Sequence, residues 1–153
     1  MTGIEDPLQV DRLRLPVAAA DRDAVIALEA GSFANPWTAA TFDKMLEAPV
    51  SHVYVARAGT EKIVAFCACW VIEDEVHINT VAVDGGLRGR GIATALLTEV
   101  LRRTGPRRAT LEVRASNAAA LRLYEKLGFK ITAVRPDYYD NPQEDGLILW
   151  LNP

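Results

Sequence analysis

A turn rich in glycine and arginine is the part of this 153-residue sequence best suited to bind a charged ligand. It reads Asp84-Gly85-Gly86-Leu87-Arg88-Gly89-Arg90-Gly91 and lies between a β-like run and a helical pattern. A helix that begins at such a turn presents unpaired N–H groups and the positive end of its dipole. Glycine lets the backbone approach a ligand, and arginine adds charge-assisted hydrogen bonds. The turn therefore predicts a pyrophosphate site, although taken alone it could also be a solvated surface loop.

Two other phosphate-binding motifs fit this turn less well. A Walker A loop is excluded because no Gly-Lys-Ser/Thr follows. A dinucleotide fingerprint is suggested by Gly89-x-Gly91, with Glu112 about twenty residues later. Thr94, however, stands at the third glycine position. Only roughly sixty residues follow the turn, about half of what a doubly wound dinucleotide domain needs.

The remaining reactive side chains carry weak signals by themselves. Glu112 lies in a strand-like run and Tyr124 in a helical one, where such residues usually face solvent or pack in the core. His77 could add a polar group to a site, but a lone strand histidine is more often hydrogen-bonded scaffold. Cys67 and Cys69 would point the same way from one strand, so they cannot easily bridge. With two histidines in the chain, we expect no metal site.

Length and charge narrow the class of protein. A chain of this size fits one domain, which we expect to span residues 1–153 with residues 1–9 as a flexible arm. The net charge of -3 lacks the basic field that binds nucleic acid. No apolar stretch approaches the ~18 residues of a membrane span, and the N-terminus does not resemble a signal peptide. We therefore expect a cytoplasmic protein that binds neither nucleic acid nor membrane.

The elements that must position these residues follow an α/β pattern. Alternating or β-rich runs predict strands at residues 10–15, 52–57, 62–72, 75–83, 109–113, 129–134 and 147–151. Helical spacing predicts helices at residues 21–32, 38–46, 91–103 and from 116 or 117 to 127. The order is β-α-α-β-β-β-α-β-α-β-β. The middle strands should form an antiparallel meander, and the crossover helix at 91–103 should make strands 75–83 and 109–113 parallel neighbours.

The turn resembles the cofactor motif of a known superfamily. Arg88-Gly89-Arg90-Gly91-Ile92-Ala93 matches Gln/Arg-x-x-Gly-x-Gly/Ala of the GCN5-related N-acetyltransferases (GNAT). Other stretches are similar to its branch of RimI-type ribosomal-protein-alanine N-acetyltransferases: Phe33-Ala34-Asn35-Pro36-Trp37, Leu111-Glu112-Val113-Arg114-Ala115-Ser116-Asn117, Ala120-Leu121-Arg122-Leu123-Tyr124-Glu125-Lys126-Leu127-Gly128-Phe129 and Arg135-Pro136-Asp137-Tyr138-Tyr139. Two departures, Asp84-Gly85-Gly86 for Asp-Pro-x and Gly146 for alanine, are expected to loosen two turns. The resemblance covers all but the first ten residues.

The resemblance implies a GNAT fold that binds acetyl-CoA. That fold has a mixed, mostly antiparallel seven-stranded sheet with a splayed central parallel pair and about four helices. Backbone groups of Val81, Ala82 and Val83 would bind the pantetheine arm. The pyrophosphate would lie on Arg88, Gly89, Arg90, Gly91, Ile92, Ala93 and Thr94, with Asn117 as a further cofactor contact.

The resemblance also implies roles in acetyl transfer. Glu112 matches the general base and Tyr124 the general acid. The acceptor would be the N-terminal amine of a protein, with the N-terminal alanine of small-subunit ribosomal protein eighteen as the family's typical substrate. Candidate acceptor contacts are Trp37, Asn79, Tyr138 and Tyr139. Acetylation of a lysine or a small amine, and acyl-CoA binding without turnover, stay open as alternatives.

Overall fold

Seven strands form one mixed sheet in the computed structural model, which describes residues 8–33, 36–59 and 62–152. The strand order across the sheet is β1-β2-β3-β4-β5-β7-β6. The strands are β1 (Leu8–Leu13), β2 (Ser51–Ala58), β3 (Lys62–Ile72), β4 (Glu75–Val83), β5 (Arg108–Arg114), β6 (Lys130–Tyr139) and β7 (Glu144–Leu151). The helices are α1 (Ala19–Ser32), α2 (Ala39–Glu47), α3 (Ile92–Thr104) and α4 (Ala118–Lys126), with a single 3-10 turn at Gly85–Leu87.

The element order confirms the sequence prediction, and the differences lie at the ends of elements. Strand β1 begins at Leu8, so the last two residues of the predicted arm belong to the sheet; residues 1–7 lie outside the described residues. Strands β6 and β7 are longer than predicted because they pair with each other as far as Tyr139 and Glu144.

The two glycine departures do not loosen their surroundings in the way expected. Gly146 lies inside strand β7, where a Cβ atom would come within 2.8 Å of the Tyr138 ring. Asp84 caps the 3-10 turn, because its Oδ1 accepts a hydrogen bond of 3.0 Å from the Gly86 N–H. Each glycine therefore belongs to an ordered local structure.

The parallel strands β4 and β5 separate halfway along their length. They pair from Glu75 with Arg108 to Ile78 with Leu111, and no further. Beyond that point β4 stays paired with β3, while β5 stays paired with β7. The split leaves the gap-facing peptide groups of β4 without strand partners, which confirms the predicted splayed pair.

A β-bulge at Asn79 accompanies the split and reverses which side chains of β4 face each side of the sheet. Ile78 pairs with Cys69 and Thr80 pairs with Ala68, so Asn79 has no opposite residue. One extra residue shifts the two-residue alternation of a strand by one position. Ile78 therefore packs with α3 on one face, whereas Ala82 packs with α1 and α2 on the other.

The two faces of the sheet are covered by different helices. Helix α3 contributes Ile92, Leu96, Leu97 and Val100 to one apolar cluster, which also holds Tyr124 of α4. Val25 of α1 and Phe42 of α2 belong to the other cluster. Within the described ranges, no helix is long and apolar enough to cross a membrane.

Helix α4 has well-defined ends that fix the position of Tyr124. Asn117 is its N-cap and accepts a hydrogen bond of 3.1 Å from the Ala120 N–H. At the other end, the Phe129 N–H donates to the Tyr124 carbonyl and the Gly128 N–H donates to the Glu125 carbonyl. This is the Schellman arrangement, and Gly128 takes the left-handed conformation it requires, with φ of 99°.

Candidate active site

The glycine turn adopts the conformation that an anion site needs. Gly89 and Gly91 have φ of 78° and 79°, a region that side chains with a Cβ atom rarely adopt. Gly91 is the N-cap of α3, and the helix has no side-chain cap at this end. The first N–H groups of α3 have no partner within the helix, so they are available to a ligand at the positive end of the helix dipole.

The two arginines of the turn differ in position. The Arg88 guanidinium donates from Nε to the Val83 carbonyl (3.3 Å) and from Nη2 to Ser32 Oγ (3.1 Å). Arg88 thus ties the end of β4 to the end of α1 while lining the cleft described next. Arg90 is exposed and does not line that cleft.

A cleft of about 450 Å³ runs from the turn along the end of β4 to helix α4. Ten of the eleven residues predicted to bind the cofactor line it: Val81, Ala82, Val83, Arg88, Gly89, Gly91, Ile92, Ala93, Thr94 and Asn117. We name it the cofactor cleft. Its shape and its donors fit a long molecule that carries a pyrophosphate at one end and an apolar arm at the other.

A second cleft of about 350 Å³ adjoins the first. Five residues line both clefts: Phe33, Val81, Asn117, Ala120 and Tyr124. The second cleft also holds the predicted base Glu112 and three of the four predicted acceptor contacts, Trp37, Asn79 and Tyr139. We name it the acceptor cleft. Two ligands bound in the two clefts would therefore meet beside Tyr124.

Glu112 is held at the acceptor cleft by a histidine. His77 Nε2 lies 2.6 Å from Glu112 Oε2, and both side chains are about one-quarter exposed or less, at 26% and 22%. The Trp70 ring contacts the His77 ring edge to face, with centroids 5.2 Å apart. A neutral His77 with its proton on Nε2 would donate to the carboxylate and fix its orientation.

Tyr124 is the buried member of the predicted pair. It is 8% exposed, and burial raises the pKa of its phenol above the usual range. Its ring packs edge to face on Phe129, with centroids 5.8 Å apart. A phenol whose pKa is raised in this way stays protonated at neutral pH, so it can donate a proton but cannot serve as a base.

The two tyrosines of β6 pack against each other edge to face, with ring centroids 5.0 Å apart, but only one of them lines the acceptor cleft. Tyr139 lines the acceptor cleft below the Arg114 guanidinium, which lies 4.6 Å from its ring centroid. Burial raises the pKa of Tyr139 to about 12. Tyr138 lines neither cleft; it is 43% exposed and packs beside Gly146 and under Arg135. The predicted acceptor contact of Tyr138 is therefore not supported by this geometry.

Arg114 holds Tyr139 in place by joining β5 to the loop between β6 and β7. Its guanidinium donates to the carbonyl groups of Asp140 (2.7 Å) and Pro142 (2.8 Å) and to Glu144 (3.3 Å). Glu144 also accepts a hydrogen bond of 2.6 Å from the Ser116 N–H just before α4. These contacts connect one wall of the acceptor cleft to the start of the helix that carries Tyr124.

Sequence reasoning did not assign two residues that the structure connects with the acceptor cleft: Glu29 lines it, and His77 contacts Glu112. His77 was left aside as scaffold, although the parallel pairing of β4 and β5 places it beside Thr110, two residues from Glu112. Glu29 gave no signal in the sequence, because a glutamate in an amphipathic helix usually faces solvent. In the structure Glu29 is buried, with 4% of its surface exposed. The Phe33–Trp37 stretch, which carries part of the family resemblance, is described in part only, since Ala34 and Asn35 lie outside the described residues.

The fold and the two clefts agree with the sequence relationships of the chain. The chain belongs to the acetyltransferase (GNAT) family, whose family model matches residues 22–129. It is similar to the ribosomal protein bS18-alanine N-acetyltransferase of Escherichia coli (strain K12), at 35% identity over 136 residues, which cover 86% of this chain and 90% of that protein. It is also similar to N-alpha-acetyltransferase RimI of Mycobacterium tuberculosis (strain ATCC 25618 / H37Rv), at 35% identity over 147 residues, 91% of this chain and 89% of the other.

Solved structures show the same fold. The crystal structure of the ribosomal-protein-S18-alanine N-acetyltransferase from Escherichia coli matches with a TM-score of 0.84 and 31% identity, covering 95% of this chain and 93% of that one. Arabidopsis thaliana NAA60 in complex with acetyl-CoA shares the fold at 18% identity, with a TM-score of 0.79 over 94% of this chain and 97% of that one.

Proposed function

We propose that this protein transfers the acetyl group of acetyl-CoA to the N-terminal amine of a protein, with the N-terminal alanine of a small-subunit ribosomal protein as its substrate. The observation that carries the proposal is the meeting of two clefts beside Tyr124, one with an anion-binding turn and the other with a carboxylate. The relatives named for acetylation of ribosomal protein bS18 support the choice of substrate. A ribosomal substrate would place the reaction in the cytoplasm.

Acetyl-CoA fits the cofactor cleft by the chemistry of its donors. The pyrophosphate is assigned to the N–H groups of the turn and of the first residues of α3, with Arg88 adding positive charge at the wall. The pantetheine arm is assigned to the gap-facing peptide groups of Val81, Ala82 and Val83, which the split of the strands leaves without β5 partners. Arg90, outside the cleft, is not needed for this assignment.

Glu112 is assigned as the base because the acceptor amine must be neutral to attack. An α-amine has a pKa of ~7.8, so about one-seventh of it is neutral at pH 7. A lysine amine, with a pKa of ~10.4, is neutral in only roughly one molecule in 2,500. His77 engages Oε2 of Glu112, and we assign the other oxygen to the amine proton, directly or through one water.

Tyr124 is assigned as the acid that protonates the departing sulfur of CoA. Acetyl-CoA supplies the acetyl group and leaves as a thiol. Tyr124 lines both clefts, so its phenol can reach the place where the acyl carbon and the amine meet. Its raised pKa keeps the proton on the phenol until the sulfur takes it.

Asn79 gives the acceptor cleft a preference for peptides. Its Nδ2 is buried and has no hydrogen-bond partner among the described residues, and the side chain lines the acceptor cleft. A buried donor without a partner costs about 1–3 kcal/mol. The first carbonyl group of a peptide would satisfy it, whereas a lysine side chain carries no carbonyl near its amine. Trp37 and Tyr139 would flank the first residues of the peptide.

A peptide panel tests the proposal. One arm contains peptides with a free N-terminus that differ at residue one, and the other contains N-terminally blocked peptides with an internal lysine. Mass spectrometry after incubation with acetyl-CoA should find acetyl groups at free N-termini, with alanine preferred. Acetylation of lysine alone would favour the lysine alternative, and binding of acetyl-CoA without any product would favour a binding module.

All seven strands belong to one sheet, which supports one catalytic domain for the chain.

A further inference from the structure

Glu29 is a buried carboxylate with no part in the chemistry assigned so far. It lies in the last turn of α1 and is 4% exposed. Its partners in the described part of the chain are two hydrogen-bond donors rather than a cationic side chain. Burial raises the pKa of Glu29, and the two hydrogen bonds act in the opposite direction. A carboxylate is seldom buried so deeply without a charged partner, so this position calls for an explanation.

The two hydrogen bonds join two separate segments that line the acceptor cleft. Oε2 accepts from the Trp37 N–H at 3.0 Å, and Oε1 accepts from the Thr80 hydroxyl at 3.2 Å. Trp37 lies in the segment between α1 and α2, and Thr80 follows the bulge of β4. Glu29, Trp37 and Thr80 all line the acceptor cleft.

Neither wall is held by regular structure on both sides at these points, since Thr80 pairs with Ala68 of β3 only. Thr80 lies in the part of β4 that no longer pairs with β5. Trp37 lies outside any helix or strand, two residues before α2 begins. One carboxylate therefore sets the spacing between the segment that carries the Trp37 ring and the strand that carries the unpartnered Asn79 amide.

We infer that Glu29 is a positioning residue, which clamps the Trp37 segment to strand β4 so that the acceptor cleft holds a peptide in one geometry. This inference rests on the proposed function, since the peptide is the ligand whose binding it governs. Glu29 acts through Trp37 and Thr80 and takes no proton from the substrate.

Two substitutions separate the geometry of the clamp from its charge. In Glu29→Gln, the amide oxygen can accept from the Trp37 N–H while the amide nitrogen donates to the Thr80 hydroxyl, so both contacts survive. In Glu29→Leu both are lost, and the Trp37 N–H is left without its acceptor. Thr80→Val removes one contact and keeps the other, which provides a variant closer in stability to the unsubstituted protein.

Steady-state kinetics should show an effect on the peptide alone. We expect Glu29→Leu to raise the KM for peptide about tenfold, Thr80→Val less, and Glu29→Gln not measurably, with kcat and the KM for acetyl-CoA nearly unchanged. Val25→Ala is the matched control, because Val25 is buried one turn earlier in α1 but lines neither cleft. It should lower the melting temperature without changing the KM for peptide.

Hydrogen exchange at the Trp37 amide tests the clamp without catalysis. This amide should be protected in the unsubstituted protein, in Glu29→Gln and in Val25→Ala, and should exchange about tenfold faster in Glu29→Leu. Equal peptide KM values and equal Trp37 exchange in Glu29→Leu and Val25→Ala would overturn the inference. Absence of peptide turnover by the unsubstituted protein would instead overturn the proposed function, while the exchange data would still decide on the clamp.

Discussion

Glu112 and Tyr124 lie in different environments, and the difference matches their proposed roles. Glu112 is partly exposed and hydrogen-bonded to His77, so it can exchange protons with solvent. Tyr124 is buried against Phe129, and burial raises its pKa. A base that must lose its proton after each turnover benefits from solvent access, whereas an acid benefits from an environment that keeps its proton in place.

Replacing the carboxylate of Glu112 should abolish most of the activity. We expect Glu112→Gln to lower kcat by about 10²-fold or more, because a positioned general base contributes roughly 10²–10⁴-fold. The change is isosteric and outside the cofactor cleft, so the affinity for acetyl-CoA by calorimetry should stay the same. An unchanged kcat with the peptide would remove Glu112 from the mechanism.

The hydroxyl of Tyr124 should matter less than the carboxylate of Glu112. A thiol with a pKa of ~8.5 departs as a thiolate with little assistance, so we expect Tyr124→Phe to lower kcat by roughly 10- to 100-fold. Tyr54→Phe is a suitable control, because Tyr54 is also buried but lines neither cleft. Similar losses in the two variants would indicate a packing effect rather than proton donation.

At the scale of elements, the proposed anion site depends on the conformation of the glycine turn. Alanine at position 89 would occupy open space but would have to adopt φ of +78°, which costs about 1–2 kcal/mol. Without ligand, the turn of the variant would relax to another conformation, and ligand binding would have to restore the left-handed conformation at position 89. We therefore expect Gly89→Ala to weaken acetyl-CoA binding by about 5- to 30-fold in a calorimetric titration.

A matched control lies in the same turn. Gly85 also has open space around its Cβ position and does not require a positive φ. Gly85→Ala should therefore bind acetyl-CoA as the unsubstituted protein does. If the two alanine variants lost affinity equally, the left-handed conformation at Gly89 would not be the cause.

Strand β2 carries a histidine that should make stability depend on pH. Burial, with smaller effects from Arg12 and Arg14, lowers the pKa of His52 from 6.5 to about 4. Between pH 6.5 and 4 the unfolded chain binds a proton at His52 that the folded protein does not bind. The contribution of His52 to the free energy of unfolding is therefore fully present above pH 6.5 and is lost as the pH falls towards 4. In melting experiments across this range, His52→Gln should lose less stability than the unsubstituted protein. Parallel melting curves would exclude His52 as the source.

At the scale of the whole molecule, the cofactor cleft links α3, α4 and the split sheet, so its ligand should stabilise the fold. At a concentration of 100 times Kd, acetyl-CoA should add about 2.7 kcal/mol, or roughly 5–10 °C in melting temperature. A short acetyl thioester without the pyrophosphate should give a much smaller shift, because it cannot use the turn. The absence of any shift with acetyl-CoA would contradict the assignment of the cleft.

Most of the fold and much of the candidate site were predictable from the sequence because their signals are local. Periodicity placed the strands and helices; the helix predicted from 116 or 117 to 127, for example, spans Ala118–Lys126, with Asn117 as its N-cap. The Gly89–Gly91 turn could be interpreted because a strand, glycines and a helix start must meet there. Tyr138 and Tyr139 show the limit: their rings pack against each other, with centroids 5.0 Å apart, yet only Tyr139 lines the acceptor cleft, and the local sequence does not say which of the two does.

The sequence by itself determined the order of elements and the place of the proposed phosphate-binding turn, and its resemblance to the GNAT family supplied the proposed acid and base. Only the tertiary structure decided that β4 parts from β5 after Ile78, that the bulge at Asn79 exchanges the two faces of the strand, that Glu29 lines the acceptor cleft and that His77 contacts Glu112. The contact of His77 with Glu112 joins residues 35 positions apart, and the contact of Glu29 with Thr80 joins residues 51 positions apart. The packing of the helices on the twisted sheet determines such contacts. They cannot be inferred from the helix or strand propensity of any single segment.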